Sequence, residues 1–224
     1  MSAPKVVKEL LERSNRLGSE PRFTNYAGGN TSAKGSVPNP ATGQETTVLW
    51  VKGSGGDLGT LTEPGLAALE LEKFKALKNV YRGVEHEDEM VALFDYCRFG
   101  TTGAAPSIDT AMHGLVPFDH VDHLHPDSII ALATSIDGEK LTRECFGDEI
   151  LWVDWRRPGF QLGLDMAKIA TENPKAKGCI LGGHGLTTWG ATSKECEERS
   201  VAAITKAEEF IKAKGKKNPF GAAV

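Results

Sequence analysis

A chain of 224 residues with 40% hydrophobic side chains can bury one full core, and nothing in it forces a second domain, so residues 1–224 are expected to form a single unit. Its formal net charge of −4 argues against a nucleic-acid surface, which needs clustered Lys and Arg. No run reaches the ~18 apolar residues of a membrane span, and the opening MSAPKVVKELLERSNRLGS carries charge throughout, so a cytoplasmic protein without a membrane partner is expected.

Along the chain, Val6, Val7, Leu10, Leu11 and Leu17 keep a helical rhythm over 4–17 that stops at Gly18. NYAGGNTSAKG then reads as a Gly-rich loop, and Thr46–Val51 as a strand running into a second such loop, KGSGGDLG. Thr62 and Pro64 can open a helix through GLAALELEKFKAL. Helical patterns follow over 86–98 and, after Pro106, in SIDTAMHGLV. HVDHLHPDS reads as a short strand before Pro126, PDSIIALATS as a helix, EILWVDW as a strand and FQLGLDMAKIATEN as a helix. GCILGGHGLTTWG looks like two short strands hinged at Gly182–Gly185, and 193–213 like the last long helix. The basic run KAKGKK at 212–217 suits a solvated helix end. Strands and helices mixed without regular βαβ spacing predict an α/β layered fold, with a central, mostly antiparallel sheet flanked by helices. Cys97, Cys145, Cys179 and Cys196 form no Cys-x-x-Cys pair and read as free thiols in or near the core.

Three of the six histidines fall in HVDHLHPDS. On a strand, His123 and His125 share a face while His120 points away. Such a pair begins either a metal site or a hydrogen-bonded polar face. His184, set between glycines where the backbone must bend, supplies a third imidazole. Three protein ligands with an open position is the pattern of a catalytic divalent ion. The two Gly-rich loops read either as tight turns or as an anion cradle, to which Asn30, Ser32, Lys52 and Ser54 would add donors and charge. Neither carries a nucleotide fingerprint: the Walker spacing is absent, and position 58, where a dinucleotide motif needs Gly, is Leu58. Asp109 and Ser107 stand at a helix start, as caps or as site residues, and His113 lies four residues beyond Asp109, within reach of an i,i+4 contact.

GGNTS, VKGSGGDL, PSID, HVDHLHPDS and HGLTTWG occur in the order and approximate spacing of the class II aldolase/adducin family, and the resemblance covers residues 5–212. WVKGSG, DHLHPDSII and RPGF resemble most the aldolase part of bifunctional rhamnulose-1-phosphate aldolase/lactaldehyde dehydrogenases. The resemblance implies metal-dependent retro-aldol cleavage of a ketose 1-phosphate to dihydroxyacetone phosphate and an aldehyde such as lactaldehyde. It implies that His123, His125 and His184 hold Zn²⁺, or Co²⁺ or Mn²⁺, and that Gly29, Asn30, Ser54, Gly55 and Ser107 receive the phosphate. Asp109 takes the place of the acid/base residue. Two positions depart from the family pattern. The aldolases usually carry Glu where Asp109 stands, and Asp there resembles the ribulose-phosphate 4-epimerases, in which it is a metal ligand. Ile108 replaces a phosphate-binding Ser, which Lys52 would compensate. The resemblance also implies a homotetramer, and the tail KKNPFGAAV resembles the join to a dehydrogenase domain of a longer parent chain. Adducin-like members of the family keep the fold as a non-catalytic interaction module; retention of all three histidines argues for the enzyme.

Overall fold

The computed structural model describes residues 4–216. Its strands are β1 (Asn30–Pro38), β2 (Glu45–Lys52), β3 (Leu66–Glu70), β4 (His120–Leu124), β5 (Ile150–Val153), β6 (Gly178–Leu181) and β7 (Gly185–Gly190). They form one sheet in the order β3-β2-β1-β4-β7-β6-β5, antiparallel throughout except for the parallel pair β5 and β6. This is the mixed, mostly antiparallel architecture predicted from the sequence.

Helices cover both faces of the sheet. On one side lie α1 (Lys5–Gly18), α5 (Asp127–Ala133), α6 (Gly138–Phe146) and α8 (Ser193–Lys214). On the other lie α2 (Leu71–Ala76), α3 (Glu87–Phe94), α4 (Thr110–Leu115) and α7 (Phe160–Glu172). The alternation of β2 serves both layers: Val48 and Trp50 pack with Leu10, Leu17 and Ile204, while Leu49 and Val51 pack with Phe74, Phe94 and Phe160. Helix α7 crosses α4 closely because it has Gly163 at the contact, where a Cβ would stand 2.7 Å from the Ala111 carbonyl carbon. That crossing fixes the helix that Asp109 immediately precedes.

Two expectations need correction. Residues 30–35, the second half of the expected loop, belong to the inner strand β1. Its polar side chains mislead the hydropathy pattern because they are buried and paired; Thr31 Oγ1, for example, lies 2.6 Å from Ser14 Oγ of α1. Residues 66–70, expected as helix, are the edge strand β3. Ala, Leu and Glu favour helix, but pairing with β2 and burial of Leu66, Ala67 and Leu69 override that preference. The helix begins only at Leu71. The pattern over 86–98 is α3 with a 3₁₀ turn at each end, and residues 138–146, unassigned by the sequence pattern, form α6. From residue 217 on, the basic run and the tail lie outside the described residues.

Candidate active site

Strands β4 and β7 are neighbours, and the tight turn between β6 and β7 brings His184 back to the end of β4. The turn closes through His184 N–H donating to the Leu181 carbonyl at 2.9 Å, with Gly183 at φ +68°. The imidazoles of His123, His125 and His184 then converge. Nε2 of His123 lies 2.9 Å from Nε2 of His125 and 3.2 Å from Nε2 of His184, and one ligating atom from each residue fits within 4.8 Å of the others. His123 Nδ1 faces the Leu186 carbonyl at 3.0 Å, which can only accept, so the hydrogen sits on Nδ1 and the Nε2 lone pair points at the cluster. Burial, then the neighbouring imidazoles, hold His123 well below the ordinary histidine range. Burial and His184 push His125 down to about 4 against the pull of Asp109. Burial also lowers His184, again opposed by Asp109. Three neutral imidazoles with converging nitrogens fit a divalent cation. His120 projects to the opposite face, as the strand period requires. There its Nδ1 meets the buried Arg13 Nη1 at 3.0 Å, while Arg13 Nε donates to Asp122 at 2.9 Å.

Asp109 is not the helix cap that its position allows. It precedes α4, its side chain makes no capping bond, and it turns toward the histidines, whose titration it affects. Oδ2 accepts from Asn30 Nδ2 at 2.9 Å, whereas Oδ1 is buried without a partner. The expected i,i+4 contact with His113 is replaced by a bridge: His113 Nε2 lies 2.5 Å from Asn30 Oδ1, so Asn30 stands between the two. Ser107 Oγ, two residues before Asp109, is likewise buried and unpartnered.

The two Gly-rich loops meet beside this group. Gly29, at φ +73°, passes so close to β4 that a Cβ would stand 2.6 Å from the His123 carbonyl oxygen. Asp57 ties the loops together, accepting from Ala27 N at 2.6 Å and from Gly59 N at 2.8 Å. Ser54 N–H donates to Ala105 O at 2.9 Å, which sets the second loop along the segment leading to Ser107. Ser54, Gly55, Gly56, Asp57, Thr62 and Ala104 border a cavity of about 300 Å³. Lys52 is buried at the end of β2. Burial lowers its pKa, and Asp57 and Asp109 draw it back up. The residues singled out in the sequence therefore gather as three histidines, an aspartate and a cation beside two loops. Sequence reasoning misses the bridging geometry of Asn30 and the place of His113, because the three residues of that bridge are far apart in the chain or on different elements.

This chain belongs to the class II aldolase and adducin family: the model of the class II aldolase and adducin N-terminal domain matches residues 8–210. A Bacillus subtilis protein named as an uncharacterized oxidoreductase, YuxG, is 38% identical over 208 residues; the match takes in 93% of this chain but only 30% of that protein. Among solved structures, the N-terminal class II aldolase domain of a conserved Thermoplasma acidophilum protein superposes with a TM-score of 0.82 at 26% identity, covering 94% of this chain and 96% of that one. L-fuculose-1-phosphate aldolase from Thermus thermophilus has the same fold, with a TM-score of 0.62 at 15% identity and 98% of each chain covered. Class II aldolases depend on a divalent metal, and three histidines that could hold one cluster here. No helix among the described residues is long and apolar enough to cross a membrane.

Proposed function

We propose that this chain is a metal-dependent carbon–carbon lyase that cleaves a ketose 1-phosphate of the rhamnulose 1-phosphate type to dihydroxyacetone phosphate and an aldehyde such as lactaldehyde. The observation that carries the reading is the buried, unpartnered Asp109 Oδ1 beside three converging neutral histidines. His123, His125 and His184 would hold Zn²⁺, Co²⁺ or Mn²⁺; a bound ion supplies Lewis acidity for the charge that develops on substrate oxygens as the C–C bond breaks. Asp109 Oδ1 takes or returns the proton at carbon. That three histidines alone form the compact ligand cluster among the described residues supports a proton-carrying Asp109 over a fourth ligand. Gly29, Asn30, Lys52, Ser54, Gly55 and Ser107 bind the phosphate. The open backbone at Gly55, where a Cβ would meet nothing within 4 Å, and the buried Lys52, whose charge Asp57 and Asp109 favour, support this. The shorter carboxylate of Asp109 favours one second reading, a ribulose-phosphate 4-epimerase. Residues 1–224 act as one domain, assemble as a tetramer by analogy with the family, and sit in the cytoplasm. The length of the Bacillus subtilis relative beyond the matched part supports a dehydrogenase domain in the parent chain.

Metal analysis with a coupled assay for dihydroxyacetone phosphate, run over a panel of ketose 1-phosphates, tests the proposal. The parent protein should contain a stoichiometric divalent ion and release the triose phosphate. His184→Ala should lose both, with the fold kept. Full metal content in His184→Ala would refute the ligand set, and conversion of a pentulose phosphate to its epimer without aldehyde would establish the second reading. Asp109→Asn at saturating metal should lower kcat about 10²- to 10⁴-fold if Asp109 moves the proton. Ser54→Ala should chiefly raise KM for the phosphorylated sugar, whereas Asn30→Ala, which also removes the hydrogen bond to Asp109, should raise KM and lower kcat as well.

A further inference from the structure

His113 is buried within α4, and the reaction proposed above gives it no task. Its ring nitrogens have different partners: Nδ1 lies 2.8 Å from Ser32 Oγ, and Nε2 lies 2.5 Å from Asn30 Oδ1. Asn30 Nδ2 in turn donates to Asp109 Oδ2 at 2.9 Å. The hydrogen positions follow from chemistry. A carboxylate only accepts, so the Asn30 amide must present its NH₂ to Asp109 and its oxygen to His113. An amide oxygen also only accepts, so His113 must carry its hydrogen on Nε2 and take the Ser32 hydroxyl hydrogen on Nδ1. Ser32 is free to give it, since its next acceptor, the Val121 carbonyl, is 3.5 Å away. All three bonds then run in one direction, from Ser32 through His113 and Asn30 to Asp109. The chain ends on the carboxylate, whose other oxygen is the buried atom without a partner. Burial, helped by the charges of Lys34 and Arg13 and opposed by the nearby Val121 backbone, pushes His113 down to about 3, so the ring stays neutral and keeps one donor and one acceptor.

We propose that His113 is a positioning residue for Asp109: by holding the Asn30 oxygen it locks the amide, and the locked NH₂ fixes which carboxylate oxygen is left free to face the site. Without the His113 donor, the buried Asn30 oxygen loses its partner and the amide is free to turn, so Asp109 loses its fixed orientation. The kinetic part of this inference rests on Asp109 being the proton carrier; the tautomer does not.

The test has two arms. In the intact parent protein, ¹⁵N-edited NMR of the histidine rings should show His113 protonated on Nε2 and bare on Nδ1; the opposite tautomer would overturn the proposal whatever the protein's activity. In the second arm, His113→Leu should lower kcat about 10- to 100-fold, with metal content unchanged and KM for the phosphorylated sugar within about twofold. His113→Gln, which places an amide donor near the Nε2 position, should regain most of that rate. A Gln variant no better than Leu, or a loss confined to KM or metal content, would make His113 a packing residue only. If the parent releases no triose phosphate at all, the proposed reaction fails while the tautomer measurement still decides the His113–Asn30 lock.

Discussion

His113 titrates near 6.5 in an unfolded chain and near 3 in the fold, where burial and the charges of Lys34 and Arg13 oppose its protonation. As pH falls through 6.5 the unfolded chain therefore takes up a proton that the folded one refuses. The contribution is fully present above pH 6.5 and shrinks below it by about 1.4 kcal/mol per pH unit, or about 2 kcal/mol by pH 5. Denaturant titrations of metal-stripped protein at pH 7.5 and pH 5 should show the parent losing about 2 kcal/mol more than His113→Gln. Equal losses would mean that the ring is protonated inside the fold. At this scale the sequence is informative wherever a local rule applies. The strand period pairs His123 with His125 and turns His120 away, and glycines on both sides mark His184. It points to Asp109 and His113 but not to the link between them, because that link runs through an amide from residue 30, and four positions of spacing cannot show a third residue between them.

Helix α7 shows how an element can depend on a side chain far away in sequence. Its first N–H groups, at Phe160 and Gln161, donate to the buried Glu87 at 2.6 and 2.7 Å, and the Tyr81 hydroxyl donates to the same carboxylate at 2.6 Å. Gly159 makes room, since a Cβ there would lie 2.4 Å from Glu87 Oε2. Removing the carboxylate strands one buried and two part-buried donors, so Glu87→Ala should cost about 3 kcal/mol in a denaturant titration. Glu89→Ala, two residues on and exposed in a pair with Arg82, should leave the midpoint nearly unchanged and serves as the control. Because α7 carries Gly163 against α4, the Glu87 variant should also lose activity in proportion to its unfolded fraction. The long helices α1, α7 and α8 were legible from apolar periodicity. Strands β1 and β3 were not: one is polar yet buried, the other has helix-forming residues held straight by a neighbour. In both, pairing with another strand decides the conformation, and a single segment carries no trace of its partner.

Across the whole molecule, the two helical layers enclose every cysteine. Burial pushes Cys97 and Cys145 up to about 11 and Cys179 up to about 12, and burial with Asp122 raises Cys196 well above the ordinary thiol range. The folded protein should therefore react with almost no thiol reagent at pH 8, and all four thiols should appear on adding denaturant; rapid labelling of the native form would contradict the packing. The layered class of fold was legible because mixed periods leave few architectures, whereas the order of strands was not, since it is set by contacts between distant segments. That order has one more consequence. The histidines and Asn30 sit on β1, β4 and β7 or at their ends, and these strands are bonded on both sides, while β3 and β5 form the rims. In deuterated solvent the rims can fray and exchange locally, but amides such as those of Ser32, His123 and Thr187 are released only when the entire sheet opens. The strands that carry the site should then open with the fold and not ahead of it, so exchange at these amides should be as slow as global unfolding.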